Sequence, residues 1–380
     1  MKILFTGGGT GGHFYPLIAV AQAIREQAKA KKILPPQFYF MAPHKYNPRA
    51  LFDNEIDFIY VPAGKIRRYF SILNITDAFK TISGCFIALF KMFSIYPDVI
   101  FSKGGYTSFP PLLAARLLRI PVVMHESDSH PGRANMWTSK FAKRIALSYP
   151  SAAVFFKATV KDQSKIAYTG NPIRPEIAQP LKTGAFEFLN LEQNIPVILV
   201  LGGSQGSQNI NDVIIQTLPE LLNKYQIIHQ TGRANLTEIQ STTAVLLKDH
   251  PYKYRYHPFD YLNELALRMS AGAATIIVSR AGSTIFEIAA WGVPSIIIPL
   301  PSSISHDQTA NAFAYAEAGA SSVIEENNLT PNILVEEINR IVSSPAISKT
   351  MSERAKAFSR LDSATLIAQT ILNIALEHEK

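Results

Sequence analysis

The chain twice runs from a short apolar strand directly into a glycine-rich turn. Ile3-Leu4-Phe5 leads into Thr6-Gly7-Gly8-Gly9-Thr10-Gly11-Gly12-His13, and Pro196–Leu201 leads into Gly202-Gly203-Ser204-Gln205-Gly206-Ser207. Glycine lacks a Cβ, so the backbone there turns sharply and offers bare N–H groups. The apolar run Pro16 to Ile24 follows the first turn and makes it a strand–loop–helix unit. Its donors sit at the positive end of a helix, which favours a phosphate or another anion. His13 closes the loop and puts a titratable group beside that anion. A leading strand and phosphate-type loop that occur twice predict two similar doubly wound α/β domains.

Between the turns the pattern alternates. Strand-like runs at Lys2–Phe5, Gln37–Met41, Phe58–Val61, Val99–Phe101, Val122–Met124 and Arg144–Ala146 are separated by helical patterns such as Leu17–Ala30 and Pro111–Leu118. Thr169-Gly170-Asn171-Pro172 interrupts the alternation, which restarts with Pro196–Leu201, Tyr225–His229, Lys253–Tyr256, Thr275–Val278, Ser295–Ile298 and Ser322–Ile324. Such alternation predicts parallel sheets covered on both faces. A length of 380 residues fits two domains. The expected division is a first domain over 1–172, joined by a C-terminal helix near 358–380 that packs back on it, and a second over 173–357. Ligands bind at strand carboxyl ends in open α/β sheets, so two facing domains would share one cleft.

Charge is unevenly spread. Residues 1–175 hold 23 Lys and Arg against 9 Asp and Glu, and residues 176–380 hold 14 against 20, so the formal +8 divides into +14 and −6. A basic first half implies an anionic partner, nucleic acid or a membrane surface, or serves solubility. No base-stacking motif is interleaved to support nucleic acid. Lys65-Ile66-Arg67-Arg68-Tyr69-Phe70-Ser71-Ile72-Leu73 mixes cations with large apolar residues, and Arg67, Arg68, Phe70, Ile72 and Leu73 are the expected contacts with an anionic membrane. Phe79, Phe86, Phe90 and Phe93 continue the apolar series, with Phe86 and Phe90 read as core residues of an amphipathic helix. No apolar run approaches the roughly 18 residues of a spanning helix. Met1-Lys2 leads into a strand rather than a signal peptide, and the single Cys85 excludes an internal disulfide framework and reads as a buried core thiol. The expectation is a cytoplasmic protein, bound peripherally to the membrane.

Further segments sit at strand carboxyl ends. Ser102-Lys103-Gly104-Gly105-Tyr106 follows Val99–Phe101, and His125-Glu126-Ser127-Asp128 follows Val122–Met124. An isolated His125 is more often a satisfied core histidine than a catalyst. Ser279 to Glu287 follows Thr275–Val278, with small residues at 281–284 that let a ligand approach a helix N-terminus. The Glu287 carboxylate can accept two hydroxyl hydrogen bonds, as a ribose diol would supply, or can cap the helix. Asp307, Gln308 and Asn311 open a helix after Ser295–Ile298 and suit either sugar hydroxyls or capping. There is no Asp-x-Asp to clamp a metal-bound diphosphate, no GxxxxGK[ST], no acid after the second strand and no Cys/His metal spacing. Neither a metal nor a redox cofactor is expected.

Taken together, TGGGTGGHFYP from Thr6, FSKGGYTSFPPLLAA from Phe101, HESDSHPGRAN from His125, TGNPIRPE from Thr169, GGSQGSQNIN from Gly202, SRAGSTIFEIAAWGVPSIIIPLP from Ser279 and HDQTANA from His306 resemble, in order, the MurG family. These are the N-acetylglucosaminyltransferases that make lipid II of bacterial peptidoglycan. The resemblance implies the GT-B fold, two Rossmann-like domains facing a cleft, without a metal requirement. It implies a donor site for UDP-N-acetylglucosamine in the second domain. Gly203, Ser204 and Gln205 would lie at the ribose–diphosphate region, Ser283 and Thr284 at the diphosphate, and Glu287 on the ribose hydroxyls. Backbone near Phe259 and Asp260 would read the uracil, Gln308 with Asp307 the GlcNAc hydroxyls, and Arg174 would reach in from the hinge. In the first domain the resemblance puts Thr10, Gly11 and Gly12 where acceptor and donor meet, Asp128 at the donor sugar, and Gly105, Tyr106, Glu126 and Asn135 on the acceptor side. Asp128 stands where better-known members carry asparagine, so it keeps an acceptor and loses two donors. The implied reaction is an inverting attack by the C4 hydroxyl of a lipid-linked N-acetylmuramoyl peptide, with UDP leaving. His13 is the expected general base or acceptor-positioning group, with Asp128 or Glu126 as alternatives. The competing readings are another GT-B sugar-nucleotide enzyme, a UDP-GlcNAc 2-epimerase among them, and a non-catalytic sugar-nucleotide-binding protein.

Overall fold

The computed structural model describes residues 1–65, 73–203, 206–301 and 306–378. The chain divides into two compact units, Met1–Arg174 with Arg360–Lys380, and Pro175–Ser359.

Among the described residues the first unit carries a seven-stranded parallel sheet: β1 (Lys2–Thr6), β2 (Gln37–Ala42), β3 (Ile56–Tyr60), β4 (Val99–Ser102), β5 (Val122–Glu126), β6 (Arg144–Leu147) and β7 (Ile166–Tyr168), in the order β3-β2-β1-β4-β5-β6-β7. Thr6 pairs with Met41 on one side and Ser102 on the other, and Ser102 pairs with Met124. Side chains alternate along a strand, so β1 serves two cores. Ile3 and Phe5 share one with Leu17, Ile18 and Ile24 of the helix Gly11–Ala30 and with Ile367, Ile371 and Leu372 of the helix Ser363–His378. Leu4 shares the other with Ala88 and Met92 of the helix Leu73–Ile95 and Leu112 of the helix Phe109–Leu118. Both faces are covered, which is why the strand reads as an unbroken apolar run. The strand order reverses between β1 and β4, the switch point at which such sheets bind ligands.

The described part of the second unit carries a six-stranded parallel sheet of β8 (Val197–Leu201), β9 (Gln226–Gln230), β10 (Tyr256–Phe259), β11 (Ile276–Ser279), β12 (Ser295–Ile297) and β13 (Ser321–Val323), in the order β10-β9-β8-β11-β12-β13. Ile198, Val200, Val278 and Ile296 share a core with Ile210, Ile214 and Leu218 of the helix Gln208–Leu221. Its switch point lies between β8 and β11.

Local differences from the sequence reading have physical causes. The helix Gly11–Ala30 starts at the glycines themselves, with Thr10 at its cap and His13 in its first turn, not at the apolar run. Lys253–Arg255 is a 3-10 turn and the strand begins at Tyr256, because Arg255 turns inward to the Glu192 carboxylate and the Leu222 carbonyl. The helix Leu73–Ile95 overturns two expectations. Phe86 and Phe90 are 71% and 72% exposed rather than core residues. The stretch Asn74–Ile95 is also long and apolar enough, by length and composition, to cross a bilayer. Ile75, Phe79, Ile82, Phe86, Phe90 and Phe93 recur every three or four residues and form one exposed stripe, while Gly84, Ala88 and Met92 on the opposite side are buried against the unit. Cys85 is only partly buried, and that burial raises its thiol pKa. Among the expected membrane contacts, Arg67, Arg68, Phe70 and Ile72 lie outside the described residues, and Leu73 begins the helix.

Candidate active site

At the switch point of the first unit the loops after β1 and β4 lie side by side. His13 is half-buried, and its Nδ1 is 3.3 Å from the Gly8 carbonyl. A Cβ on Gly105 would sit 3.5 Å from that same Nδ1, and one on Gly9 would sit 3.6 Å from the Tyr106 ring, so the two loops meet at His13. Gly104 and Gly105 have φ of 77° and 83°, and a Cβ on Gly104 would collide with the Asn135 amide, so no other residue fits there without strain. Asn135 Nδ2 donates to the His125 carbonyl at 3.2 Å and to Glu126 Oε2 at 2.9 Å. The Glu126 carboxylate also accepts from the backbone N–H groups of Asp128 at 3.0 Å and Gly132 at 3.1 Å. With three donors on it, Glu126 clamps the loop 127–132. Burial and the charge of Asp128 push its carboxyl up to about 7, against hydrogen bonds that favour the anion. Burial holds His13 below the ordinary imidazole value; Lys103 adds to that lowering, while Asp128 opposes it. A histidine lowered in this way is neutral near neutral pH, the state a general base requires. Asn135 Oδ1 and Thr107 Oγ1 are buried beside these loops without a hydrogen-bond partner.

Lys103, which pattern reading passed over as a site residue, is 1% exposed. Its Nζ donates to His125 Nδ1 at 2.6 Å, Ser127 Oγ at 2.5 Å and Asn171 Oδ1 at 3.0 Å. His125 Nε2 donates to the Gly170 carbonyl at 2.9 Å, which leaves the Nδ1 lone pair for the ammonium. Burial pulls Lys103 down to about 7, against the Glu126 and Asp128 charges. Burial and then the Lys103 charge push His125 well below its ordinary value. His125 is thus a satisfied core histidine. Arg174 stacks on Tyr15, 4.4 Å from the ring centre.

The second unit gathers its candidates at the carboxyl ends of β8, β11 and β12. The Gly203 carbonyl accepts from Gln230 Nε2 at 3.0 Å and the Gly206 N–H at 3.1 Å; Ser204 and Gln205 lie outside the described residues. Ser283 stands at the N-cap position of the helix Thr284–Trp291 without a side-chain capping bond, and Glu287 lies in its first turn, all three of Ser283, Thr284 and Glu287 being half-buried. Gln308 Oε1 accepts from the Leu300 N–H at 3.2 Å; the Asp307 side chain lies outside the described residues. Asp260 stands apart from these, past the edge strand β10, with Oδ1 accepting from the Tyr261 N–H at 2.7 Å. The Phe259 carbonyl is already taken by the N–H and hydroxyl of Thr231. Pattern reading also missed Arg280, whose guanidinium donates to Ser207 Oγ at 2.5 Å and to the carbonyls of Ile298 and Pro299, and pairs with Glu326. It ties together the loops after β8, β11 and β12. The available signal was an arginine placed immediately after an apolar strand.

A glycosyltransferase family 28 N-terminal domain matches residues 3–147, and a glycosyltransferase family 28 C-terminal domain matches residues 197–367. The UDP-N-acetylglucosamine–N-acetylmuramyl-(pentapeptide) pyrophosphoryl-undecaprenol N-acetylglucosamine transferase of Treponema denticola is 36% identical over 346 residues, covering 88% of this chain and 86% of that one. The crystal structure of Acinetobacter baumannii MurG covers 98% of this chain and 99% of its own at 25% identity, with a TM-score of 0.71. A UDP-GlcNAc 2-epimerase from Neisseria meningitidis, solved with UDP-GlcNAc bound, covers 98% and 100% at 17% identity with a TM-score of 0.70, a likeness of fold alone. Two parallel sheets matched in this way define a GT-B glycosyltransferase. The chain belongs to the MurG family within glycosyltransferase family 28.

Proposed function

We propose that the chain transfers N-acetylglucosamine from UDP-N-acetylglucosamine to the C4 hydroxyl of an N-acetylmuramoyl peptide on a polyprenyl diphosphate, forming lipid II for peptidoglycan. The observation that carries this reading is the similarity to a transferase of that name over 88% of the chain, spanning both units. In the mechanism that follows, His13 accepts the proton of the attacking hydroxyl, C1 of the donor sugar inverts, and UDP leaves. The Glu126 clamp fits a positioning role better than that of base. The second unit holds the donor: helix N-terminal N–H groups with Ser283 and Thr284 meet the diphosphate, Glu287 the ribose and Gln308 the sugar. This arrangement meets the leaving-group charge with backbone dipoles, so no metal ion or other cofactor is required in this reading.

The acceptor resides in a membrane, and the exposed stripe of the Leu73–Ile95 helix, with the +14 charge of residues 1–175, supports peripheral seating on the anionic cytoplasmic face. The same charge is assigned to lipid and diphosphate rather than to nucleic acid. The deciding experiment supplies labelled UDP-GlcNAc and lipid I with a chelator present. Labelled lipid II is expected. Epimerised UDP-sugar without lipid II, or transfer only after metal is restored, overturns the respective part.

A further inference from the structure

Lys103 has no place in the mechanism above, yet its setting is unusual. Long charged side chains are almost never fully buried unless paired, and the three atoms that Lys103 Nζ donates to are all neutral. Those three come from two stretches of chain. His125 and Ser127 flank Glu126 at the end of β5, and Asn171 lies where the chain leaves the first unit. Side chains alternate along extended backbone, so the turn of 125 and 127 toward Lys103 turns 126 and 128 toward the loop, Asn135 and His13. We propose that Lys103 is a positioning residue for glycosyl transfer: its buried side-chain nitrogen, bound to His125, Ser127 and Asn171, holds the His125–Asp128 segment in place under the glycine loop beside His13.

The titratable groups that face this ammonium are His125, Glu126 and Asp128 from β5 and its loop, and His13 from the helix Gly11–Ala30. The sign follows from their charges. Loss of the ammonium removes the lesser of the two influences that lower His13, burial being the larger. The base then needs a higher pH to be free. The groups assigned to the nucleotide lie in the other unit, so binding of the UDP moiety is not the step that suffers.

This rests on the functional reading given above, and the test separates the two. Lys103→Met and Lys103→Gln are assayed for GlcNAc transfer to lipid I across the pH range of wild-type activity. The expected result is a kcat at least about tenfold lower, a KM for UDP-GlcNAc within about twofold, and an acid limb moved upward in both variants. Lys103→Ala should recover part of its kcat with added ethylammonium. Variants that keep wild-type kcat and pH profile refute the role of Lys103, as does a rise in donor KM with kcat intact. Failure of both substitutions to fold, read by loss of UDP binding, also refutes it, since it assigns the lysine to the fold alone. A wild-type protein that does not use lipid I refutes the functional reading and this role with it.

Discussion

Replacing Phe86 and Phe90 by serine tests the membrane face directly. A phenylalanine side chain covers roughly 200 Å², so at 71% and 72% exposure each ring leaves about 140 Å² in water. Complete transfer of that area to an apolar phase is worth about 3.5 kcal/mol per ring at about 25 cal/mol per Å². Rings seated at the headgroup boundary realise about half of this, so the double variant loses about 3.5 kcal/mol, or about 300-fold in partitioning. Neither ring packs in the core, so the thermal midpoint should hold. The assay is co-sedimentation with vesicles containing anionic lipid, run beside transfer to lipid I in the same vesicles and to a short-chain soluble acceptor. Binding and vesicle turnover should fall together while turnover of the soluble acceptor stays. Undiminished vesicle binding by the double variant would refute the reasoning, and equal loss on both acceptors would place these rings in catalysis or folding.

Three other outcomes are expected. His13→Ala should lower kcat by about 10²–10⁴ with UDP affinity unchanged, measured by steady-state kinetics and calorimetry; full turnover removes it from the mechanism. Glu287→Gln should raise KM for UDP-GlcNAc about tenfold and narrow the preference over a 2′-deoxyribose donor, and an unchanged preference would assign Glu287 to helix capping. Because Lys103 falls from its ordinary 10.5 to about 7, the unfolded chain binds more protons between those values, and stability should rise with pH through that window by up to about 5 kcal/mol. Urea unfolding of the wild type should show that slope and Lys103→Met should lack it; the same slope in both contradicts the burial of a charge.

The strands were legible because the central strands are covered on both faces, which writes them as short apolar runs bounded by turn residues. The helix start at Gly11 was not, because two glycines argue against helix and only the cap geometry at Thr10 places them in one. The phenylalanine stripe was visible in its period, but period does not tell which side of a helix is inward. That direction is set by which side finds a partner, and here the small residues Gly84 and Ala88 let the neighbouring backbone and helix approach, leaving the large rings outside.

The same division runs through the site. Strand ends located His13 and Glu126 by address, since ligand edges follow from topology. Their protonation states follow from convergence instead. The atoms around Lys103 Nζ come from residues 22, 24 and 68 positions away, and nothing local to residue 103 announces them. Glu126 could be read as a base until three donors were found on its carboxylate, two of them backbone N–H groups that no sequence pattern specifies. A carboxylate so occupied must break hydrogen bonds before it takes a proton from substrate, whereas His13 has one weak contact to a carbonyl and is lowered chiefly by burial. That asymmetry, rather than the identity of either residue, is the argument for His13 over Glu126.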